Sequence, residues 1–205
     1  LVNDVEKVGN LWRVTAKDGR QVEASILVIA DGSRSPWPQA LGLGPKTQHH
    51  ASTTSIRINE PGNLPKGSAR FEFGLVRHGF AWAFPVGEGI NIGVGSFIGN
   101  QKVDTNEVLE KLLPSLGIAP NAGERQKASL RVWNGHDKLH GDGVLAVGDA
   151  ASLCDPFLAE GLRPALMSGC EAAKSINNFL KGDTNTLDEY SEAIRQRWGN
   201  SMAWG

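Results

Sequence analysis

The chain of 205 residues contains only two cysteines and no excess of charge of either sign. Cys154 and Cys170 are too few and too far apart for a disulfide framework or a zinc knuckle, which suits a reducing cytosol and small buried packing roles. The 21 Lys and Arg against 22 Asp and Glu provide no basic stripe for a phosphate backbone. We therefore expect a cytoplasmic protein that does not bind nucleic acid.

Long apolar runs and metal-binding patterns are also missing from the sequence. No segment approaches the roughly 20 apolar residues of a membrane-spanning helix, and the start lacks the basic and apolar stretches of a signal peptide. His136 and His140 are four residues apart, but Gly135 and Gly141 flank them, so a helix that presents both to a metal is not expected. The sequence predicts no metal site, and no set of Ser, His and acid points to hydrolysis.

Residues 143–162 are the most informative stretch of the sequence. The short apolar run at 144–147 predicts a strand covered on both faces that stops at Gly148 and Asp149. Gly148 lets a ligand approach the backbone, and Asp149 offers an acceptor at the carboxyl end of the strand, where open α/β sheets bind ligands. The pattern predicts a site for a polyol or ribityl chain. A strand-ending turn in which the Asp caps local N–H groups is the alternative.

A helix is predicted directly after this strand. Pro156 lies in the connection, and Glu160 and Gly161 lead into Leu162, where a helix begins that is predicted to end at Gly182. The free N–H groups of its first turn would face the same crevice and favour an anion.

A similar strand-and-turn pattern occurs near the start of the chain. Residues 11–15 alternate between apolar and polar, a tight-turn signal follows, and residues 22–30 predict a strand that is covered on both faces. This second strand also ends in a glycine-containing turn, at Asp31 and Gly32.

The two strand-end motifs resemble those of FAD-binding flavoproteins with the para-hydroxybenzoate hydroxylase fold and, within that fold, those of the geranylgeranyl reductases. The resemblance implies that Asp149 contacts the ribityl chain and that the helix start at Gly161 and Leu162 faces the N1/O2 edge of the flavin. The cofactor-binding residues that it implies are Asp31, Gly32, Gly148, Asp149, Pro156, Glu160, Gly161 and Leu162.

Two departures from the family pattern affect these loops. The family usually has Thr-Gly before Glu-Gly, whereas this chain has Leu158 and Ala159, and an alanine there restricts φ. The family also has an arginine that supports the first loop, at the place of Pro38 in this chain, which leaves Arg34 as a candidate substitute.

The middle of the chain carries mostly β patterns, which predict one antiparallel sheet. The predicted strands are 52–58, 69–75, 79–84, 89–97 and 128–133. A helix with Asp104 and Glu107 in capping-box spacing interrupts them and is predicted to cover one face of the sheet.

Alternation along residues 80–85 places three aromatic rings on one face of a strand. Glycines on the next strand would clear space opposite them and leave a slot for an apolar ligand, although three such rings can also be core. The spacing resembles the pattern that geranylgeranyl reductases use against an isoprenoid chain. The substrate-binding residues that this resemblance implies are Phe80, Trp82, Phe84, Pro85, Gly93 and Gly95.

A last helix is predicted near the end of the chain, opened by Thr186 and Glu189. We expect its apolar face to be exposed, because it would dock a C-terminal region that this chain mostly lacks. The residues of that face are Leu187, Tyr190, Ile194 and Trp198.

These patterns predict an α/β fold, with a partial FAD-binding domain of the glutathione-reductase-like type and an inserted antiparallel β-sheet substrate domain. The predicted boundaries are 1–35 and 136–182 for the two FAD-binding parts, 36–135 for the substrate domain and 183–205 for the start of a C-terminal helical region. Because the sequence contains no strand-GxGxxG-helix for the ADP half of FAD, we expect a fragment.

The resemblance implies an FAD-dependent oxidoreductase that reduces carbon–carbon double bonds of a geranylgeranyl chain. It implies an apolar prenyl substrate and NADPH or another reductant as electron source, and it is compatible with peripheral contact with membrane lipid. Neither a catalytic residue nor an oligomeric state follows from the sequence. An aromatic hydroxylase or a halogenase on the same fold and a non-catalytic lipid-binding fragment are the alternatives.

Overall fold

A computed structural model of the chain describes residues 1–97, 103–135 and 138–199. The chain forms two compact units, Leu1–His49 with Arg131–Gly205 and His50–Leu130. His136 and residues 200–205 lie outside the described residues. The four-part division predicted from the sequence stays a prediction.

The described residues form runs of three or four strands separated by helices, and two helices follow the last strand. The strands are β1 (Val2–Val8), β2 (Leu11–Ala16), β3 (Gln21–Ala24), β4 (Leu27–Ile29), β5 (His49–Ile58), β6 (Arg70–Phe73), β7 (Gly79–Val86), β8 (Gly89–Ser96), β9 (Gln126–Val132), β10 (His140–Gly141) and β11 (Val144–Ala146). The helices are α1 (Trp37–Ala40), α2 (Thr105–Leu112), α3 (Leu162–Lys181) and α4 (Asp188–Ile194). Within the described ranges, no helix is both long and apolar enough to cross a bilayer.

The first unit contains two small sheets. Strands β1, β2 and β3 form an antiparallel meander, as the alternation and the turn signal predicted for the hairpin between β2 and β3. The other sheet has the order β10-β11-β4, in which β11 pairs antiparallel with β10 and parallel with β4. All three residues of β11 are buried, which confirms the predicted covered strand.

The single strand predicted at 22–30 is wrong, because the chain leaves one sheet and enters the other within it. Strand β3 ends at Ala24 in the meander, and β4 begins at Leu27, whose N–H donates to the carbonyl oxygen of Gly143 at 2.9 Å. Val28 of β4 is exposed, so this strand is not covered on both faces.

Helix α3 confirms the predicted helix over 162–181. It begins after Gly161 and ends at Gly182, whose φ of 78° allows its N–H to satisfy the carbonyl of Phe179. A left-handed backbone conformation at the end of a helix strongly favours glycine at that position.

The face of the last helix is buried, so the expected exposed apolar surface is wrong. Leu187, Tyr190, Ile194 and Trp198 all belong to the core of the first unit, where they pack with β11 and with part of α3. The predicted Thr186 cap is also absent, since its hydroxyl bonds the Asp188 carboxylate and α4 has no side-chain N-cap.

The second unit contains a five-stranded antiparallel sheet with the order β6-β7-β8-β5-β9, which confirms the predicted antiparallel sheet. Helix α2 contacts β8, and Leu109 and Leu112 of this helix pack with Ile92 and Val94 of that strand. The carboxylate of Asp104 accepts from the second and third amides of α2, as the capping spacing predicted. One face of the sheet is therefore closed by the helix.

Tyr190 supplies a test of the core of the first unit. Its hydroxyl donates to the Ala146 carbonyl at 2.6 Å, and burial raises the pKa of this phenol. A raised folded-state pKa contributes stability below the unfolded value of about 10, and this stability is lost as the pH rises above it. We expect Tyr190→Phe to lower the free energy of unfolding by about 1–2 kcal/mol at neutral pH, since a buried acceptor loses its partner.

The wild type should lose stability faster than Tyr190→Phe as the pH rises above about 10. Denaturant unfolding at several pH values measures this difference, and the ultraviolet absorbance of tyrosinate follows Tyr190 alone because the chain contains one tyrosine. Parallel pH profiles for the two proteins would contradict the buried phenol.

Candidate functional site

Strand β11 ends in a tight turn that positions Asp149. The turn is the 3₁₀ helix Gly148–Ala151, in which Gly148 has a φ of 58° and donates its N–H to the hydroxyl of Ser168 at 3.0 Å. A Cβ on Gly148 would lie 3.2 Å from the Cβ of Ala165, so α3 packs closely against this residue. Both the left-handed backbone and the close helix favour glycine here.

The start of α3 lies beside this turn. The Glu160 carboxylate accepts from the N–H of Arg163 at 2.6 Å, and Pro164 has no N–H. The amides of Gly161 and Leu162 have no hydrogen-bond partner among the described residues. The N–H groups of Gly161 and Leu162 are therefore available to a ligand, as the sequence predicted, whereas the N–H of Arg163 is already bonded within the chain.

The structure brings the Asp149 carboxylate to this helix start. A Cβ on Gly161 would lie 3.2 Å from Oδ1 of Asp149 and 3.8 Å from Sγ of Cys154. Burial raises the pKa of Asp149, while the backbone N–H and the charge of Arg131 oppose this shift. A carboxyl acceptor and two amide donors thus lie together where β11 meets α3.

Cys154 is fully buried at the same place. Burial, with the charges of Asp149, Asp155 and Glu160, raises the pKa of this thiol to about 12. Cys154 therefore stays protonated at neutral pH and is a poor nucleophile. Cys170 is exposed, so the expectation that both cysteines are buried is wrong for this one.

The connection that precedes α3 is organised by Asp155. Its carboxylate accepts from the N–H groups of Phe157 and Leu158, and its own N–H donates to the carbonyl of Glu160 at 2.9 Å. Pro156 of the same connection is buried. These bonds define the loop without help from a ligand.

The loop that holds Asp31 and Gly32 leaves the same edge of the sheet as the turn after β11. Strands β4 and β11 are parallel neighbours, with Ile29 paired to Ala146. Their carboxyl ends therefore coincide, which is where α/β sheets bind ligands. Asp31 is exposed, and Gly32 has a φ of 83°.

The aromatic residues lie on the sheet of the second unit, in the register that alternation predicts. Trp82 pairs with Gly93 and Phe80 with Gly95 across β7 and β8. A Cβ on Gly93 would overlap the Trp82 indole, and a Cβ on Gly95 would overlap the ring of Phe97. The expected empty slot over the glycines is wrong, because the chain's own rings fill that space.

Six rings form one aromatic surface on this sheet, which we call the aromatic face. Neighbouring ring centroids are 5.0–6.3 Å apart, within the range of favourable edge and offset contacts. The aromatic face consists of Phe71, Phe73, Phe80, Trp82, Phe84 and Phe97. Phe71, Phe73 and Phe97 were not predicted from the sequence, although the alternation of β6 was a signal for the first two.

The aromatic face is held by a hydrogen bond at Trp82 and is open to solvent at β6. The indole Nε1 of Trp82 donates to Oδ1 of Asn91 at 2.8 Å, which fixes the orientation of this ring. Phe71 and Phe73 are 50% and 69% exposed, so the face reaches solvent at β6. Pro85, which follows Phe84 in β7, is exposed.

A separate cavity of about 550 Å³ lies in the first unit between β10 and α4. Trp133, His140 and Asp188 are among its lining residues. None of the predicted site residues is in its described lining, so the cavity does not contribute to this site.

Similarity to known proteins was found in both sequence and structure, although no protein-family model matches the chain. A digeranylgeranylglycerophospholipid reductase of Methanopyrus kandleri is 30% identical over 192 residues, which cover 89% of this chain and 51% of the relative. A geranylgeranyl bacteriochlorophyll reductase-like protein from Thermoplasma acidophilum superposes with a TM-score of 0.79 at 21% identity, over 96% of this chain and 53% of that one. These similarities support the geranylgeranyl reductase family for this chain.

Other solved flavoprotein structures also share the fold of this chain. A flavoprotein/dehydrogenase from Cytophaga hutchinsonii matches with a TM-score of 0.68 at 19% identity, over 95% of this chain and 52% of that one. The predicted α/β fold class with an inserted antiparallel sheet is confirmed. The chain spans about half the length of the curated relatives it matches.

An arginine elsewhere in the chain supports the loop after β4 and compensates for one departure from the geranylgeranyl reductase pattern. Pro38 stands where the family has its supporting arginine, and Arg34 is exposed. Arg131 of β9 instead reaches the loop, where its guanidinium donates to the carbonyl of Ser35. A charged residue within the apolar end of a strand was the available signal, and Arg34 is not the substitute.

The second departure concerns Ala159, which occupies the place of a family glycine. Its φ is 53°, so this alanine adopts the left-handed conformation that a glycine would adopt. Such a conformation costs a residue with a Cβ about 1–2 kcal/mol. Ala159 therefore adopts the backbone conformation of a glycine at the cost of this strain.

We expect Ala159→Gly to raise the free energy of unfolding by about 1 kcal/mol, because it removes this strain. The matched control is Ala173→Gly on the exposed side of α3, where the same change should cost about 1 kcal/mol. Urea unfolding of both variants measures the effect. A loss of stability at both positions would contradict the strain at Ala159.

Proposed function

We propose that this chain supplies the flavin-binding turn and a prenyl-binding surface of an FAD-dependent oxidoreductase that reduces carbon–carbon double bonds of an isoprenoid chain. One observation carries the proposal: the Asp149 carboxylate lies at the start of α3, 3.2 Å from where a Cβ on Gly161 would be. An acceptor beside two available amides suits a ligand that presents hydroxyl donors and an anionic edge together. A ribityl chain with its attached flavin ring has both.

The residues present fit this cofactor on structural grounds. Asp149 would accept from the ribityl hydroxyls, and the amides of Gly161 and Leu162 would donate to the edge of the ring. A helix N-terminus favours an anion by about 0.3–1 kcal/mol, and by about 2 kcal/mol in a partly buried geometry. For a two-electron couple, 30 mV corresponds to about 1.4 kcal/mol, so the helix would raise the potential by tens of millivolts at most. The main effect of Asp149 and the amides would therefore be to position the flavin, and their effect on its reduction potential would be smaller.

The aromatic face supports a prenyl chain as the substrate class, because it is an apolar surface that is open to solvent at Phe71 and Phe73. Each methylene of a prenyl chain that is buried contributes about 0.8 kcal/mol, so apolar contact alone could supply the affinity. When bound and reduced, the flavin would supply the hydride for one alkene carbon, and a proton would complete the other carbon. The protein's part is to hold the chain in a fixed orientation and to exclude water.

The relative from Methanopyrus kandleri is named as a reductase of digeranylgeranylglycerophospholipid, and this name supports a prenyl lipid as substrate class. NADPH or another reductant as electron source, the cytoplasmic location and peripheral contact with membrane lipid stay predictions, as do the roles of Asp31, Gly32, Pro156 and Glu160.

Asp149 provides the test of cofactor binding. The chain should bind FAD, and Asp149→Ala should weaken binding by about 10- to 100-fold, because a hydrogen bond to a charged group contributes about 1.5–3 kcal/mol. Titration of the protein into FAD, followed by flavin fluorescence, measures the affinity. Asp142→Ala is the matched control, since Asp142 is an exposed acid that pairs with Lys7 in the same unit.

Asp142→Ala should leave the FAD affinity unchanged within about twofold. A wild-type chain that stays colourless with FAD, or equal affinities for the wild type and Asp149→Ala, would overturn the flavin assignment.

The reaction is tested with a geranylgeranyl lipid, FAD and either NADPH or dithionite, with mass spectrometry of the products. We expect saturation of double bonds without oxygen. Phe73→Ser should weaken lipid binding about fivefold through the loss of about 1 kcal/mol of apolar contact, whereas Val22→Ser, at a site 67% exposed, should not. A hydroxylated or halogenated product without saturation would replace the reductase assignment with one of the alternatives.

A further inference from the structure

Arg131 is a buried cation that no part of the cofactor assignment uses. Its side chain is 4% exposed, and it lies near the end of β9 within the first unit. Nη2 donates to the carbonyl of Ser35, and Nη1 donates to the carbonyl of Ala150 at 3.3 Å. One guanidinium thus connects the loop after β4 with the turn after β11.

The backbone of Arg131 holds the same region from the other side. Its carbonyl accepts from the N–H of Cys154 at 3.2 Å, and its backbone N–H helps to lower the pKa of Asp149 against the effect of burial. The next residue, Val132, forms a parallel bridge with Cys154. Arg131 therefore contacts three segments of the candidate site: loop 31–35, the Gly148–Ala151 turn and the residues that follow this turn.

The contacts of the Arg131 side chain do not maximise the stability of the folded chain. The two side-chain partners are neutral carbonyls, Nε of Arg131 is buried without a partner among the described residues, and burial lowers the pKa of the group. A buried donor without a partner destabilises the folded chain. The charges of Asp31 and Asp149 stabilise the cation, and both acids belong to the loops that it connects.

We propose that Arg131 is a positioning residue that fixes loop 31–35 and the Gly148–Ala151 turn at the spacing which a ligand bridging both loops requires. The consequence for FAD rests on the proposed function, whereas the connection between the loops does not. The guanidinium reaches the two carbonyls from two separate nitrogens, Nη1 and Nη2, whereas lysine offers one nitrogen on a shorter side chain, so lysine should not replace it.

Hydrogen exchange of the backbone amides tests the connection without any ligand. The informative amides are those of Ser35, Ser152 and Leu153, which donate to Gly32, Asp149 and Gly148 within the two loops. Arg131→Met should speed their exchange at least tenfold, and Arg131→Lys should do the same while it keeps the charge.

The matched control is Arg125→Met. Arg125 also donates to backbone carbonyls, those of Pro120, Ala122 and Gly123, but it lies in the second unit. This variant should lose stability and leave exchange in both loops of the first unit unchanged. If Arg131→Met does not fold, Arg131→Lys decides.

The FAD affinity is measured on the same proteins. Arg131→Lys and Arg131→Met should bind FAD at least tenfold more weakly than the wild type, and Arg125→Met within about twofold of it. Loop exchange in the Arg131 variants that matches Arg125→Met would overturn the positioning role. Faster loop exchange with unchanged FAD affinity would overturn the effect of Arg131 on cofactor binding. A wild type that binds no FAD would overturn the proposed function, and the exchange data would still decide whether Arg131 positions the loops.

Discussion

The parallel pairing of β4 with β11 is the contact on which the candidate site depends. Its register joins Leu27, Val28 and Ile29 to Val144, Leu145 and Ala146, so the two strands end level with one another. Parallel strands that end level release their following loops at one edge of the sheet. The acids of both loops, Asp31 and Asp149, therefore act on the same buried guanidinium.

Features encoded by short stretches of sequence were predicted well. The buried run of β11, the long helix ending at Gly182 and the Asp104 cap each depend on a few neighbouring residues, namely an apolar run, a residue that tolerates positive φ and a short polar side chain. The positions of Asp149 and Gly161 follow from the same local signals, because one ends the strand and the other begins the helix.

Features that depend on distant packing were not predictable in the same way. Ser35 and Arg131 are 96 residues apart, and no local pattern states that they meet. The face of α4 was recognised as apolar, but only the packed structure shows that this face belongs to the core of the first unit. Likewise, the glycines of β8 were read as space for a ligand, whereas neighbouring rings of the chain occupy that space. In the last two cases the sequence pattern identified an apolar face or small residues, but it did not show which part of the chain packs against them.

The two cysteines show how burial divides the chemistry of one residue type. Oxidants react with thiolates that they can reach, and Cys154 is neither ionised at neutral pH nor accessible. Cys170 lies on the surface of α3. Sulfenic acid formation or a disulfide between two molecules would therefore occur at Cys170, and the buried Cys154 thiol would stay unmodified under oxidative conditions.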